Sequence, residues 1–145
     1  MKSRCATQVG ALPFRLREGK LEVLLITSRE TARWIIPKGW RGKRRQPHTA
    51  AAREAFEEAG IVGCIARKPV GSYRYEKRFS DTASAVCKVR VYPMQVEHLL
   101  PDWPERAERR RCWMQPLEAA ECVSEAGLKR LLRTWMPGAP PPAND

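Results

Sequence analysis

Three glutamates, Glu54, Glu57 and Glu58, stand at positions i, i+3 and i+4 of one segment. In an α-helix these spacings bring the carboxylates to one face, within reach of one another. Like charges this close repel, so an isolated helix would be destabilised unless a cation compensates them. Mg²⁺ or Mn²⁺ prefers carboxylate oxygens and keeps water ligands that a phosphate can displace. The spacing therefore indicates a divalent metal site, and the alternative is a solvated acidic face.

The residues on either side of the glutamates predict a strand, a loop and a helix. Residues 34–36 form a short apolar run that ends at Pro37, and Gly39 follows in a predicted turn. A glycine there allows either a positive φ angle or close approach of the backbone to a ligand. Pro47 suits the first turn of a helix and Gly60 suits its C-terminal end. The acidic cluster should thus lie at the end of a helix that faces a glycine-containing loop.

From Gly39 to Ile61 the chain resembles the signature of the Nudix hydrolases. That signature reads G-x5-E-x7-R-E-U-x-E-E-x-G-U, where U is an apolar residue. After Gly39, the residues that match are Arg53, Glu54, Ala55, Glu57, Glu58, Gly60 and Ile61. One position departs, because the first glutamate of the signature falls on Arg45. A match of this length rarely arises by chance.

Outside the signature, the chain is most similar to the diphosphoinositol polyphosphate phosphohydrolase branch of the family. The similar segments are 22–29, 33–35, 102–103 and 111–114. That branch typically carries three glycines where this chain has Lys38, Gly39 and Trp40. The resemblance implies an α/β fold, a Nudix-type α/β/α sandwich with a mixed β-sheet.

The resemblance also implies a reaction, the Mg²⁺-dependent hydrolysis of a diphosphate bond by water. Glu57 and Glu58 would hold Mg²⁺, with Mn²⁺ as an alternative. Glu54 would complete the metal shell or take the proton of the attacking water, and the sequence does not choose between these roles. Arg53 would orient a glutamate through a charge-assisted hydrogen bond. A catalytic base could also come from outside the signature, from Glu97, Glu105 or Glu108.

The charge of the chain indicates an anionic partner. Lys and Arg number 27 against 16 Asp and Glu, which gives a net charge of +11. A field of this sign attracts polyanions such as nucleotides, inositol phosphates and nucleic acid. One basic group lies beside the signature helix and comprises Lys38, Arg41, Lys43, Arg44 and Arg45; a second comprises Arg106, Arg109, Arg110 and Arg111. Candidate contacts to substrate phosphates are Lys38, Arg29, Arg33 and Arg78, together with the backbone at Gly39; the alternative for each side chain is simple surface charge.

Three functions are compatible with these features. The first is hydrolysis of a polyphosphorylated small molecule of the diphosphoinositol polyphosphate or dinucleoside polyphosphate class. The second is pyrophosphohydrolysis at the 5′ end of RNA, which the basic charge favours but the absence of an RNA-recognition motif disfavours. The third is a non-catalytic binding module, against which the retained glutamates argue.

The remaining sequence predicts one domain over residues 1–136 and a disordered Pro-rich tail over 137–145. Strands are expected at 5–14, 21–26, 85–96 and 111–114, and helices at 116–122 and 124–135; residues 64–75 are expected to be extended, with breaks at Pro69 and Gly71. No stretch approaches a membrane span, so no membrane partner is expected. The five cysteines are widely spaced, which argues against a disulfide framework and structural zinc and indicates a reduced, cytoplasmic protein. The oligomeric state is not determined by these patterns.

Overall fold

The computed structural model describes residues 2–4, 7–43 and 45–138, over which the chain forms nine strands and three α-helices. The strands are β1 (Lys2–Arg4), β2 (Gln8–Arg17), β3 (Lys20–Thr27), β4 (Trp34–Ile35), β5 (Lys38–Trp40), β6 (Ile61–Ile65), β7 (Gly71–Arg78), β8 (Ser84–Leu99) and β9 (Arg111–Met114). The α-helices are α1 (Pro47–Ala59), α2 (Pro116–Cys122) and α3 (Ala126–Thr134), and a 3₁₀ turn spans Arg106–Glu108.

The strands form one mixed sheet organised around β8. This long strand is parallel to β1 and β2 and antiparallel to β6 and β7. On the side away from β8, β2 pairs in antiparallel fashion with β3 and with β5, and β3 pairs in turn with β4 and β9. The segment that carries β4 and β5 therefore bridges β3 and β2, and brings Lys38 and Gly39 to the start of β2.

Helices cover both faces of the sheet, because strand side chains alternate between faces and both sets are apolar. The small side chains of Ala50, Ala51, Ala55 and Ala59 let α1 pack closely on one face, against residues such as Val9, Leu24 and Ile26. On the other face α2 and α3 contribute Ala119, Ala120, Leu128 and Leu132, which pack against residues such as Leu12, Val23 and Val91. The predicted α/β/α sandwich with a mixed sheet is confirmed.

Two segments differ from the sequence-based prediction. The expected turn at Lys38 and Gly39 is wrong, since both residues belong to β5 and Gly39 does not have a positive φ angle. The expected first strand at 5–14 corresponds to β2, which spans Gln8–Arg17, and β1 precedes it; residues 5 and 6 lie outside the described part of the chain. Of the predicted Pro-rich tail, only residues 137 and 138 are described, so its disorder stays a prediction.

The cysteines differ from expectation at one position. Cys64, Cys112 and Cys122 are free, whereas Cys87 is disulfide-bonded. Widely separated cysteines without a recognisable spacing offered no basis for predicting a pair. Within residues 2–4, 7–43 and 45–138, no helix combines the length and apolar composition needed to cross a membrane.

Candidate active site

The loop after β8 is fixed to the end of the helix that carries the glutamates. At this end Gly60 adopts the left-handed conformation with φ 67°, and its N–H donates to the Phe56 carbonyl at 3.0 Å. Three donors from residues after β8 bind further carbonyl oxygens of the last turn: Trp103 Nε1 to Glu58 at 3.1 Å, the Glu105 N–H to Glu57 at 3.1 Å, and Arg111 Nη1 to Ala59 at 2.8 Å. These bonds satisfy carbonyls that a helix leaves unpaired, and they place Glu105 and Arg109 beside the carboxylates.

Gly39 allows the carboxylate of Glu54 to lie directly against β5. A Cβ atom built on Gly39 would overlap that carboxylate. The glycine is therefore required for the close approach of the Glu54 carboxylate, and its φ angle is not positive. Close approach of the backbone to a ligand, the other role considered from the sequence, stays a prediction. The neighbouring Lys38 N–H donates to Glu58 Oε1 at 3.3 Å, so two adjacent residues of β5 contact two glutamates of α1.

Glu58 is buried and is joined to the loop after β8 through Arg109. Arg109 Nη2 lies 3.5 Å from Glu58 Oε2 and 2.8 Å from Glu105 Oε1. Its Nη1 donates to the Thr27 carbonyl at 3.0 Å, and its side chain is only 6% exposed. A buried guanidinium held by three oxygens has little freedom, so Arg109 fixes Glu58 and Glu105 relative to the end of β3.

Burial raises the pKa of Glu58 to about 8, although Arg109 opposes the shift, and the negative charge of Glu54 adds to it. Burial also raises the pKa of Glu54; its hydrogen bond to Glu58 opposes this, and the charges of Glu57 and Glu105 add to it. The metal-free protein therefore favours a protonated carboxyl in this pair at neutral pH. Two hydrogen-bonded carboxyl groups that line a cavity supply the oxygen ligands that a divalent cation prefers.

Glu57 does not converge with the other two glutamates. Its Oε2 lies 3.6 Å from Arg53 Nε, and neither residue lines the cavity that contains Glu54 and Glu58. Accordingly, no group of three or more acidic, histidine or cysteine side chains in the described residues is placed to hold an ion. Mutual repulsion explains the separation, since Glu57 gains an opposite charge by turning toward Arg53. The oxygen donors fit a divalent ion, and Glu57 would have to leave Arg53 to join them.

The cavity beside these carboxylates has a volume of about 690 Å³. It brings together Arg29, Arg33, Lys38, Gly39 and Arg78, which the sequence proposed as substrate contacts. Their sources are the β3–β4 loop and β5, which are close in the sequence, and the end of β7, which is distant from both. Six basic and five acidic side chains line the cavity, so it is nearly balanced in charge.

Several of these basic side chains already have partners. Arg29 Nη1 lies 3.6 Å from Glu108 Oε1, and Arg33 Nη1 lies 3.4 Å from Oε2 of the largely buried Glu125. Lys38 Nζ lies 4.8 Å from the centre of the Tyr75 ring. Burial lowers the pKa of Lys38, and the nearby charges of Glu58 and Glu125 oppose that shift.

The members of the two basic groups predicted from the sequence do not all lie at the cavity. Of the first, Lys38 lines the cavity, whereas Arg41, Lys43 and Arg45 do not and Arg44 lies outside the described residues. In the second, Arg109 and Arg111 turn inward to the end of α1, while Arg106 and Arg110 are exposed. Of the bases considered outside the signature, Glu105 alone lines the cavity; Glu97 and Glu108 do not.

Sequence reasoning missed several residues of the cavity wall, namely Gln8, Trp40, Tyr75 and Lys77. Gln8 and Tyr75 lie on separate strands that only the sheet brings together. Trp40 could have been noted, since a large apolar residue directly after the signature glycine requires an explanation.

Comparison with known proteins identifies the family. A family model for the NUDIX domain matches residues 6–135. The chain is 31% identical over 143 residues to Nudix hydrolase 12, mitochondrial, of Arabidopsis thaliana, a match covering 88% of this chain and 70% of that protein. The chain belongs to the Nudix family, as its signature predicted, and the predicted enzyme class, a Nudix pyrophosphohydrolase, is confirmed with it.

Two further similarities concern the branch and the fold. The chain is 30% identical over 129 residues to diphosphoinositol polyphosphate phosphohydrolase 3-beta of Bos taurus, covering 85% of this chain and 74% of that protein. A crystal structure of a C. elegans Ap4A hydrolase binary complex superposes with a TM-score of 0.66 at 23% identity, covering 89% of this chain and 93% of that one. The latter likeness supports the fold.

The raised pKa of Glu58 predicts how the stability of the metal-free protein depends on pH. Because the folded pKa of about 8 exceeds the ordinary value of 4.5, the folded state binds more protons than the unfolded state between these values. The free energy of unfolding should therefore fall as pH rises from about 5 to about 8. Denaturant unfolding with EDTA at several pH values measures this, and Glu58→Gln should flatten the dependence. An equal slope in the wild type and the variant would contradict it.

Arg45, the residue that departs from the signature, should have only a small effect on activity. It is exposed, lies outside the cavity lining, and its carbonyl accepts a bond from Arg41 Nε at 2.9 Å. Arg45→Glu changes the charge by two units across solvent, where the interaction is screened. We expect the Mg²⁺ concentration for half-maximal activity to fall by about twofold, with KM unchanged. Arg67→Glu, an equal change of charge at another exposed arginine, is the control. If Arg45→Glu instead raises KM and leaves the metal requirement unchanged, Arg45 is a substrate contact.

Proposed function

We propose that this protein hydrolyses a diphosphate bond in a polyphosphorylated small molecule and that the reaction depends on Mg²⁺, with Mn²⁺ as a possible substitute. The observation that carries the proposal is the cavity that Glu54 and Glu58 line together with Arg29, Arg33, Lys38 and Arg78. The carboxylates suit a metal, and the cations in the same cavity suit phosphates. The two requirements of a diphosphate substrate are therefore met in one place.

The residues that would hold the metal are Glu54, Glu57 and Glu58. A bound Mg²⁺ would supply neutralisation of phosphate charge and a lowered pKa for its bound water. Arg53 now pairs with Glu57 outside the cavity, and Glu57 would exchange this partner for the metal. Arg29, Arg33, Lys38 and Arg78 bind and orient the phosphates, and substrate has to compete with Glu108 for Arg29 and with Glu125 for Arg33.

Two carboxylates can accept the proton of the attacking water. Glu54 lies against β5 on the helix, and Glu105 lies in the loop after β8, where Arg109 binds it at 2.8 Å. The ion pair with Arg109 orients Glu105, which suits a base, while Glu54 can serve either as base or as metal ligand. Glu54→Gln and Glu105→Gln separate these roles, since loss of a metal ligand is offset by more Mg²⁺ and loss of the base is not.

Two substrate classes fit the proposal. The relative from Bos taurus is named a diphosphoinositol polyphosphate phosphohydrolase, and the C. elegans structure is named an Ap4A hydrolase. Both names describe small molecules with linked phosphates. The nearly balanced charge of the cavity is compatible with either class once a divalent ion is added.

A panel assay tests the proposed function. Phosphate and pyrophosphate release would be measured over a diphosphoinositol polyphosphate, a dinucleoside tetraphosphate, a nucleotide sugar and an RNA with a 5′ triphosphate, each with Mg²⁺, Mn²⁺ or EDTA. Turnover of a small polyphosphate that EDTA abolishes is the expected result. Turnover of the RNA alone, or no metal-dependent turnover of any substrate, would overturn the proposal.

A further inference from the structure

Trp40 is an exposed aromatic residue in a cavity whose other walls are mainly polar. Its side chain is 47% exposed, and it lines the same cavity as Glu54 and Glu58. Exposing a large aromatic surface to water is unfavourable, so the position is informative when it also lines a functional site. The strand pairing decides where it points: Gly39 faces Glu54 on the α1 side of the sheet, so the next residue, Trp40, faces the opposite side.

The neighbours of Trp40 on that face form a fixed aromatic and amide wall. Trp40 pairs directly with Gln8 across β5 and β2, and cross-strand partners present their side chains on the same face. Gln8 is only 3% exposed, and its Oε1 accepts a bond from the Tyr75 hydroxyl at 2.6 Å. Lys38 Nζ lies 4.8 Å from the centre of the Tyr75 ring on the same side. A hydrogen bond thus joins Gln8 and Tyr75, the two neighbours of Trp40 in this wall, and Lys38, a cation that suits a phosphate, lies beside them.

We propose that Trp40 is a specificity-determining residue that stacks on the nucleobase of a nucleoside polyphosphate; this inference rests on the proposed function and narrows its substrate class. Stacking on an aromatic side chain is available to every base because each base has a π-face. The phosphates would extend from this wall toward Lys38 and the glutamates. The wall and the carboxylates belong to one cavity of about 690 Å³, a volume within the range of small-molecule sites.

The charge of the cavity favours the same class. Six basic and five acidic side chains leave little excess of positive charge, and three of the basic ones, Arg29, Arg33 and Arg109, are already paired with carboxylates. An inositol ring that carries a phosphate on every carbon offers no aromatic face to Trp40 and requires many more free cations. A nucleoside polyphosphate has fewer charges and a planar base, and so it uses both features of the site.

The first arm of the test compares two substrates that differ by the nucleoside. ATP and inorganic tripolyphosphate would be assayed with the wild type, Trp40→Ala, Trp40→Phe and a control, Phe79→Ala, which removes another exposed aromatic outside the cavity lining. Trp40→Ala should raise KM for ATP by about tenfold or more and leave tripolyphosphate within about twofold. Trp40→Phe should restore most of the ATP affinity, and Phe79→Ala should match the wild type. Equal effects of Trp40→Ala on both substrates, or on neither, would overturn the inference.

The second arm measures binding without turnover. A methylene-bridged ATP analogue should quench tryptophan fluorescence of the wild type in the presence of Mg²⁺, and the quenching should be largely lost in Trp40→Phe, which can still stack. Quenching that persists in Trp40→Phe would overturn the inference. The two proposals fail separately. If the wild type binds the analogue through Trp40 but hydrolyses no diphosphate, only the proposed function is refuted. If Trp40→Ala leaves metal-dependent turnover unchanged, only the stacking role is refuted.

Discussion

Glu58→Gln is expected to lower kcat by orders of magnitude while the protein stays folded. Glutamine keeps the shape of the side chain but removes the anionic oxygen that a divalent ion requires, and such an ion stabilises the transition state by roughly several kcal/mol. The variant also leaves the buried Arg109 with one carboxylate fewer, 3.5 Å away in the wild type. Steady-state kinetics over a range of Mg²⁺ concentrations measures the loss, and circular dichroism checks the fold.

Glu57→Gln belongs to the same experiment, because Glu57 has to leave Arg53 before it can bind a metal. Its kcat should fall as well, and its Mg²⁺ requirement should rise. Glu118→Gln, at an exposed position of α2, is the matched control and should behave as the wild type. Full metal-dependent turnover by both Glu57→Gln and Glu58→Gln would show that the site has been assigned to the wrong residues.

Gly39→Ala should abolish most activity through a single added methyl group. A Cβ atom at this position overlaps the Glu54 carboxylate, so either that side chain or β5 has to move. Because catalytic groups depend on placement within a fraction of an ångström, we expect kcat to fall by about a hundredfold. The double variant Gly39→Ala/Glu54→Gln tests the cause: the glycine substitution should cost little more once Glu54 is already disabled.

Gly42→Ala provides the contrast to Gly39→Ala. Gly42 has φ 77° and no heavy atom near the position of an added Cβ, so alanine there meets backbone strain but no carboxylate. That variant should lose about 1 kcal/mol of stability and keep its kcat. If Gly39→Ala instead loses stability while its kcat is unchanged, the close contact with Glu54 has no part in the reaction.

The sequence alone determined the family, the glutamate helix and most of the secondary structure. Helix α1 was predictable because Pro47 and Gly60 bound it and because its glutamates and alanines recur at helical spacing. The long strand β8 and the helix α3 were predictable for the same kind of reason, since apolar residues recur with the period of a strand in one and of a helix in the other. Local patterns suffice wherever local periodicity decides the structure.

The tertiary structure decided which charged residues act together. The sequence placed Lys38, Arg41, Lys43, Arg44 and Arg45 in one basic group, yet of those described only Lys38 lines the cavity. The sequence placed Arg109 in the second basic group, but the loop after β8 folds over the end of α1 and buries it against Glu58. Likewise, Gln8, Tyr75 and Trp40 meet because β2 pairs with both β5 and β8. Long-range pairing is not encoded in local spacing, and for this reason the glutamate helix could be predicted from the sequence while the cavity wall that contains Trp40 could not.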